Sequence, residues 1–377
     1  MNNMNNIKVI SYPISSSFKI PLSNLLTILS NIGEHNVSVC IATNETEKIF
    51  FNLKIPIFNV PYAIKGSFLL RVINYIKIEI LIARHIYREK DRTEKIIFFM
   101  EGNAILPSIV ARFFRIPIMR LLPSGIIACN IKRNPHQNLD YVIYILQIVG
   151  YLAANVIGIY GEDLIDEWRL HHLNGNKIRI ISEHLVDFDL FNIMKPYAER
   201  KRTIAYIGRL SPEKGITSFV ESIPKILDEN SSIKVFIIGS GCLQKEIQKD
   251  LERMGAGSRI ELIPWVDHQE LPKILNELKL LIIPSCTEGI PNIMLEAMAC
   301  GTPVLSNSVG AIPDIITDGV NGFLMENNDP EIITNSVLRC LQNEDMEKIS
   351  ISAATTVRNS YELDIASVKW IKILESL

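Results

Sequence analysis

Residues Ser285–Val304 read SCTEGIPNIMLEAMACGTPV, and the fold can be argued from this stretch. It follows an apolar run, Leu280–Ile283, with the length and branched composition of a buried strand. Pro291 stands where the first turn of a helix tolerates proline, and Gly301 supplies a stop at the far end. Strand, loop and helix in succession are the unit from which parallel α/β sheets are built. Glu288 falls in the loop and Glu296 inside the helix, eight residues on. Between them the helix start, near Asn292 and Ile293, presents free N–H groups and a partial positive charge, a place for an anion. Eight residues span ~12 Å at the helical rise, close to the length of a sugar–diphosphate–ribose unit. One carboxylate can accept from sugar hydroxyls and the other from ribose hydroxyls, with the diphosphate between. Solvated helix charges are the ordinary reading of such a pair. The coincidence of the loop glycine, Gly289, with the helix start and both acids favours the functional one.

Upstream, Ile204–Gly215 reads IAYIGRLSPEKG. A strand ends at Ile207, Gly208 and Arg209 open a loop, and Lys214 stands at the next helix. Arg offers a planar fork of donors and Lys a compact charge, a pair suited to two neighbouring phosphates. A weaker element is IIGSG at 237–241, a strand followed by Gly239-Ser240-Gly241. Gln244 occupies the last glycine position of the fuller dinucleotide fingerprint, so the motif is incomplete. It still allows close backbone approach to a ligand.

The same alternation runs through the whole chain. In the second half Thr203–Ile207, Lys234–Ile238, Arg259–Ile263, Leu280–Ile283 and Pro303–Leu305 read as strands. Helices are expected at Ile216–Leu227, Leu243–Met254, Leu271–Asn276, Pro291–Cys300 and Glu331–Leu341. In the first half the strands are Ile7–Ile10, Val37–Ala42, Ile96–Met100, Ile116–Leu121, Val156–Tyr160 and Ile178–Ile181. Helical patterns cover Leu22–Asn31, Phe68–Arg88, Ile105–Phe114 and Leu139–Ala153. Met194–Arg202 (MKPYAERKR) has the composition of an exposed linker. The expectation is an α/β protein of two doubly wound domains, residues 1–195 and 200–356, facing each other across a cleft.

Composition narrows the function. The chain has 377 residues, 47% apolar and 21% charged, with a net charge of −2. That excludes a disordered tail and argues against a nucleic-acid partner, which would call for a basic excess. Six scattered cysteines form no Cys-x-x-Cys pair, which fits a reducing cytoplasm. Met1 to Ile10 lacks the basic and apolar regions of a secretory signal. Tyr141–Tyr160 carries no charge and approaches the length of a membrane span. Gln147, Asn155 and the β-branched cluster at Val156–Ile159 instead make it a buried helix running into a strand. Helix 68–90 mixes basic residues with Leu and Ile. Such a helix can lie on an anionic membrane surface, the commoner alternative being a solvated face over a core-packed stripe.

Taken together, these residues resemble glycosyltransferase family 4, the retaining enzymes of the GT-B fold. Its Glu-x7-Glu hallmark is Glu288 and Glu296, and GRLSPEKG and the GSG turn match in order and spacing. The resemblance covers about residues 200–345 well. The first half is covered only by its rhythm and by VDFDLF at 186–191. It implies a glycosyltransferase using a UDP- or GDP-sugar as donor and a glycan, lipid-linked or small-molecule acceptor, in cell-surface polysaccharide biosynthesis. By resemblance Arg209 and Lys214 hold the donor diphosphate, Glu288 contacts the transferred sugar, and Glu296 contacts the ribose. Gly208, Gly239, Gly241, Gly289, Asn292 and Ile293 border the donor, and Trp265 and Val266 border the base. Transfer proceeds with retention and without a metal or other cofactor. A last helix, about 357–377, packs back on the first domain. A nucleotide-sugar epimerase fits the Glu-x7-Glu context less well.

The departures lie mostly on the acceptor side. Ser11-Tyr12-Pro13-Ile14-Ser15-Ser16 replaces a frequent Gly-Gly turn, Arg120–Gly125 replaces a segment with a histidine, and Glu183-His184-Leu185 replaces an Asn-Gly. Pro264 stands where a glycine is common. These keep open an alternative, a catalytically idle relative that binds nucleotide or a partner as a scaffold. Asp187-Phe188-Asp189 resembles the metal motif of the other glycosyltransferase architecture but lies outside that context. Glu101-Gly102-Asn103 reads equally as a cleft-facing loop or a simple turn.

Overall fold

A computed structural model describes residues 5–12, 19–33, 35–42, 55–61, 67–99, 104–122, 147–168, 170–173, 175–255 and 257–377. The chain divides into two compact units, Met1–Leu185 with Leu363–Leu377, and Val186–Glu362.

In the first unit the strands are β1 (Asn5–Ser11), β2 (His35–Ala42), β3 (Ile57–Val60), β4 (Lys95–Phe99), β5 (Ile118–Leu122), β6 (Val156–Ile159) and β7 (Ile178–Ile180). They pair in parallel in the order β3-β2-β1-β4-β5-β6-β7. A parallel sheet covered on both faces needs apolar residues on both, so its strands are rich in Ile, Val and Phe, with interruptions such as Lys8 and Arg120 that are themselves buried. Ile7, Val9 and Ile10 of β1 are fully buried. Helices Lys19–Asn31, Phe68–Glu89 and Ile105–Phe113 lie between the strands. Helix Leu363–Glu375 belongs to this unit. Its Trp370 is fully buried and donates from Nε1 to the Ser182 carbonyl at 2.9 Å. Lys95 Nζ donates to the Leu374 carbonyl at 2.8 Å.

The second unit holds β8 (Thr203–Ile207), β9 (Lys234–Ile238), β10 (Ile260–Ile263), β11 (Leu280–Ile283), β12 (Val304–Asn307) and β13 (Phe323–Met325). Their order is β10-β9-β8-β11-β12-β13, the doubly wound arrangement whose direction reverses beside its first strand. Phe219, Val220, Ile223 and Leu227 of helix Ile216–Glu229 bury themselves in one core with Ile204, Ile237 and Ile282.

Several expectations change. Met194–Arg202 is largely exposed, as expected, but it is part of the second unit and not a linker between the two. Arg200 is buried and donates to Thr302 Oγ1 at 2.9 Å and the Cys300 carbonyl at 2.7 Å. The units divide at 185/186 and 362/363. Val186 N donates to the Tyr361 carbonyl at 3.1 Å, so the second unit begins and ends at one place. The last helical stretch breaks at Glu362, which is extended at φ −72° and ψ 145°. Helix Met346–Tyr361 stays in the second unit. The Leu139–Ala153 pattern is described from 147 onward, where it is helical and leads into β6 with Gln147 buried. Glu101–Asn103, Pro13–Ser16 and Pro123–Gly125 lie outside the described residues.

Candidate functional site: the carboxyl ends of β8, β9 and β11

In an open parallel sheet, ligands bind beyond the carboxyl ends of the strands where the strand order reverses. Here that point lies between β8 and its neighbours β9 and β11, and all three loops carry residues singled out by the sequence. The loops are tied together through their backbones. Gly208 N donates to Ile238 O at 2.9 Å and Leu210 N to Ser240 O at 3.0 Å. Cys286 N donates to Glu213 O at 2.9 Å and Ala311 N to Gly289 O at 3.2 Å. Two glycines make this density achievable. Gly239 has φ +143°, and a Cβ there would stand 1.9 Å from the Gly208 carbonyl oxygen. Gly310, at φ +59°, would place a Cβ 1.9 Å from the carbonyl oxygen of Glu288. Any side chain at either position would push the loops apart.

Lys214 leaves the β8 loop at the end of a short 3₁₀ turn, Pro212–Lys214. Its Nζ lies 2.7 Å from Oε1 of Glu288 in the β11 loop, with the side chains 29% and 10% exposed. Seventy-four residues separate the two in sequence; parallel pairing of β8 with β11 brings them together. Arg209 sits in the same loop with an exposed side chain, while its carbonyl accepts from Tyr206 Oη at 2.6 Å. Burial first, then the nearby Glu288 and Glu213 carboxylates, push the Tyr206 phenol well above its ordinary value. Burial would raise the Glu213 carboxyl. The hydrogen bond from Ser211, its own backbone, and the charges of Arg209 and Lys214 outweigh that and hold it low. The loop thus sets two cations, Arg209 and Lys214, among the carboxylates of Glu213 and Glu288 at the strand ends.

Helix Asn292–Ala299 follows, with Pro291 in extended conformation ahead of it. Asn292 and Ile293 form its first turn, half-buried, where helix geometry leaves N–H groups without intrahelical acceptors. Glu296, 15% exposed, does not join Lys214 and Glu288. Its Oε1 lies 2.8 Å from Nε2 of His268, whose ring packs 5.0 Å from that of Phe191. The bond to Glu296 raises the His268 pKa above its ordinary value, against the opposing burial, with help from the charges of Glu296, Asp267 and Asp187. Val266 is half-buried in this β10 loop beside the exposed Trp265. Sequence reasoning missed His268: it lies in a polar loop with no motif around it. It also missed Asn307, whose Nδ2 braces the β11 loop through the Pro284 and Ser285 carbonyls at 3.3 and 2.9 Å.

Asp187 of the Asp-x-Asp run accepts from the amides of Asp189 and Leu190, capping its own turn. Arg120, the first residue of the segment that replaces the one with a histidine, lies in β5 and is fully buried. It donates to Ser108 Oγ at 2.7 Å and to the carbonyls of Gly150 and Ala104 at 3.1 and 3.3 Å.

Known proteins bear on this site. The family described as glycosyl transferases group 1 matches residues 201–343. An uncharacterized glycosyltransferase of Methanocaldococcus jannaschii is 32% identical over 143 residues, 38% of this chain and 39% of that protein. The amylovoran biosynthesis glycosyltransferase AmsK of Erwinia amylovora is 28% identical over 181 residues, 46% of this chain and 44% of its own. The chain thus spans less than half the length of either relative. Among solved structures, Anabaena HepE in complex with UDP and glucose covers 99% of this chain at a TM-score of 0.76 and 14% identity. The lipopolysaccharide outer core galactosyltransferase WaaB does so at 0.75 and 15%. These likenesses are of fold, that of the GT-B proteins with two Rossmann-like domains. Within this GT-B fold, residues 201–343 are the part that is similar to the group 1 glycosyltransferases.

Proposed function

We propose that this chain is a retaining glycosyltransferase that moves a sugar from a nucleotide-diphosphate sugar, UDP- or GDP-linked, onto a glycan, lipid-linked or small-molecule acceptor. The observation that carries the reading is the Lys214–Glu288 pair, 2.7 Å apart where the sheet order reverses. Arg209 and Lys214 neutralise the diphosphate, and the amides of Asn292 and Ile293 add the field of a helix start. Glu288 accepts from hydroxyls of the transferred sugar and Glu296 from the ribose. Gly208, Gly239, Gly241 and Gly289 let backbone approach the ligand, and Val266 borders the base. In the step itself the bond from the anomeric carbon to the phosphate oxygen breaks. The acceptor oxygen bonds to the same face, and its proton passes to the leaving diphosphate. Lys214, Arg209 and the helix start stabilise that leaving charge, a role a metal fills elsewhere. The setting is cell-surface polysaccharide assembly in the cytoplasm, with peripheral contact at the inner membrane face through the first unit. Calorimetry with a panel of UDP- and GDP-sugars tests the donor half. Absence of binding to every member by folded protein refutes it.

A second reading has its own observation. Arg120 is locked into the core of the first unit by three hydrogen-bond acceptors, so the start of the segment that replaces the one with a histidine serves packing. This favours an idle relative that binds nucleotide or a partner as a scaffold. Donor hydrolysis or transfer above background, abolished by Glu288→Gln, dismisses it.

A further inference from the structure

Helix Phe68–Glu89 runs for 22 residues, about 33 Å at the helical rise. Ile78, Glu79, Ile82, Ala83 and Ile86 face the interior of the unit. A second side is apolar yet stands in water. Ile73 and Ile76 are each 52% exposed, Ile80 51% and Tyr87 55%. At about 100° per residue these four fall within roughly 60° of one another. Lys77, Arg84 and Arg88, all exposed, form the adjoining strip. Neither acid of the helix lies there. Glu79 is buried, its Oε2 accepting from Leu106 N at 2.8 Å, and Glu89 is half-buried.

That hydrogen bond sets helix Ile105–Phe113 beside the middle of the long helix. The shorter helix repeats the pattern: Ile109 is 51% and Phe113 78% exposed, with Arg112 exposed between them. The rings of Tyr87 and Phe114 lie 5.6 Å apart and join the two helices at their far ends. The result is a face of bulky apolar side chains flanked by Lys77, Arg84, Arg88 and Arg112, with Asp91 paired to Lys90 at its Tyr87–Phe114 end as the exposed acid among the described residues of the two helices and their ends.

We infer that this two-helix face docks on an anionic lipid surface, lying in the plane of the interface; the inference rests on the peripheral-membrane part of the proposed function and gives that contact a location. Charge selects the occupant. A second copy would bring the same arginines and lysines against one another, whereas anionic headgroups neutralise them while the isoleucines and Phe113 enter the acyl boundary. Among the described residues no helix is long and apolar enough to cross a membrane, so the helix lies on the bilayer. The apolar stripe and the cationic strip act together: the first supplies insertion, the second the preference for anionic lipid.

The test is sedimentation of the full chain with vesicles of phosphatidylcholine alone and of phosphatidylcholine containing a quarter phosphatidylglycerol. Wild type is expected to bind the anionic vesicles at least about tenfold better. Ile76→Glu with Ile80→Glu, and separately Lys77→Glu with Arg84→Glu, should each remove at least about tenfold of that binding. Nucleotide-sugar titration is read on the same variants and should not change, since the donor residues lie in the other unit. Equal binding to both vesicles, or none, overturns the inference. Anionic binding that both double variants leave intact keeps membrane contact but moves it off this face, which also overturns it. Loss of self-association in the variants, measured by ultracentrifugation without lipid binding in wild type, assigns the face to a second copy and overturns it too.

Discussion

Lys214 Nζ rests 2.7 Å from Glu288 Oε1, so the cation assigned to the diphosphate and the acid assigned to the sugar are already in contact without a ligand. The pair orients both groups: removing either frees the other to move. Lys214→Ala is expected to weaken UDP- or GDP-sugar binding about 10- to 100-fold, the ~1.5–3 kcal/mol of a hydrogen bond to a charged group. Calorimetry reads this directly. Glu288→Gln preserves shape and should lower kcat at least about tenfold while leaving the nucleotide Kd within about threefold. Equal losses in both quantities would contradict the division of roles.

His268 gives the site a pH signature. Its hydrogen bond to Glu296 favours the protonated ring and raises its pKa. A raised histidine contributes stability fully below its unfolded value of about 6.5 and loses it as pH climbs through the folded value. The melting temperature of wild type should therefore exceed that of His268→Gln near about pH 6 and converge on it by about pH 8.5. The ring is half-exposed, so the difference is small. A difference that grows with pH would reverse the assignment.

Glu183 makes stability fall with rising pH as well, through a carboxyl held neutral by burial. It is fully buried, accepts from Tyr160 Oη, and leaves its second carboxylate oxygen without a partner among the described residues. Burial pushes its pKa to about 8. The folded chain holds this proton after the unfolded chain has released it near about 4.3. Stability should then fall across that window, by at most ~1.4 kcal/mol per pH unit. Glu183→Gln should flatten the slope and stabilise the protein near pH 8. Urea unfolding at several pH values checks both.

The glycine contacts make a stability statement. Gly239→Ala and Gly310→Ala each force a Cβ to 1.9 Å from a carbonyl oxygen at positive φ. Each should cost at least ~2 kcal/mol or displace the loops and abolish donor binding. Gly255→Ala, also at positive φ but with nothing within 4 Å, provides the comparison: strain without collision. A comparable loss at all three positions would show that conformation alone decides.

Runs buried on both faces were legible as strands because a covered parallel sheet demands unbroken apolar sequence; β8 and β11 are such runs. β3 and β13 were not, being four and three residues long at opposite ends of their sheets, where pairing with one neighbour decides the structure. Helix Met346–Tyr361 was hidden by its Ser- and Thr-rich middle, residues that are poor helix formers in isolation and are recruited here by packing. Met194–Arg202 misled because composition registers charge but not the acceptors that bury Arg200. At the site, each motif marked its own loop. The contact of Lys214 with Glu288 is a property of strand order, and the pairing of Glu296 with His268 needed a fold to become visible.

The hydrogen bond from Val186 to Tyr361 marks the second unit as an insertion into the first. The core around Trp370 can close only after the chain's last helix has left the ribosome, by which time residues 186–362 are already out. The first unit thus completes its core only after the inserted unit has been made, and until then the sites that hold Trp370 and the Leu374 carbonyl stand empty. Limited proteolysis of chains stalled after residue 362 should find the inserted unit resistant and the earlier sequence still cut.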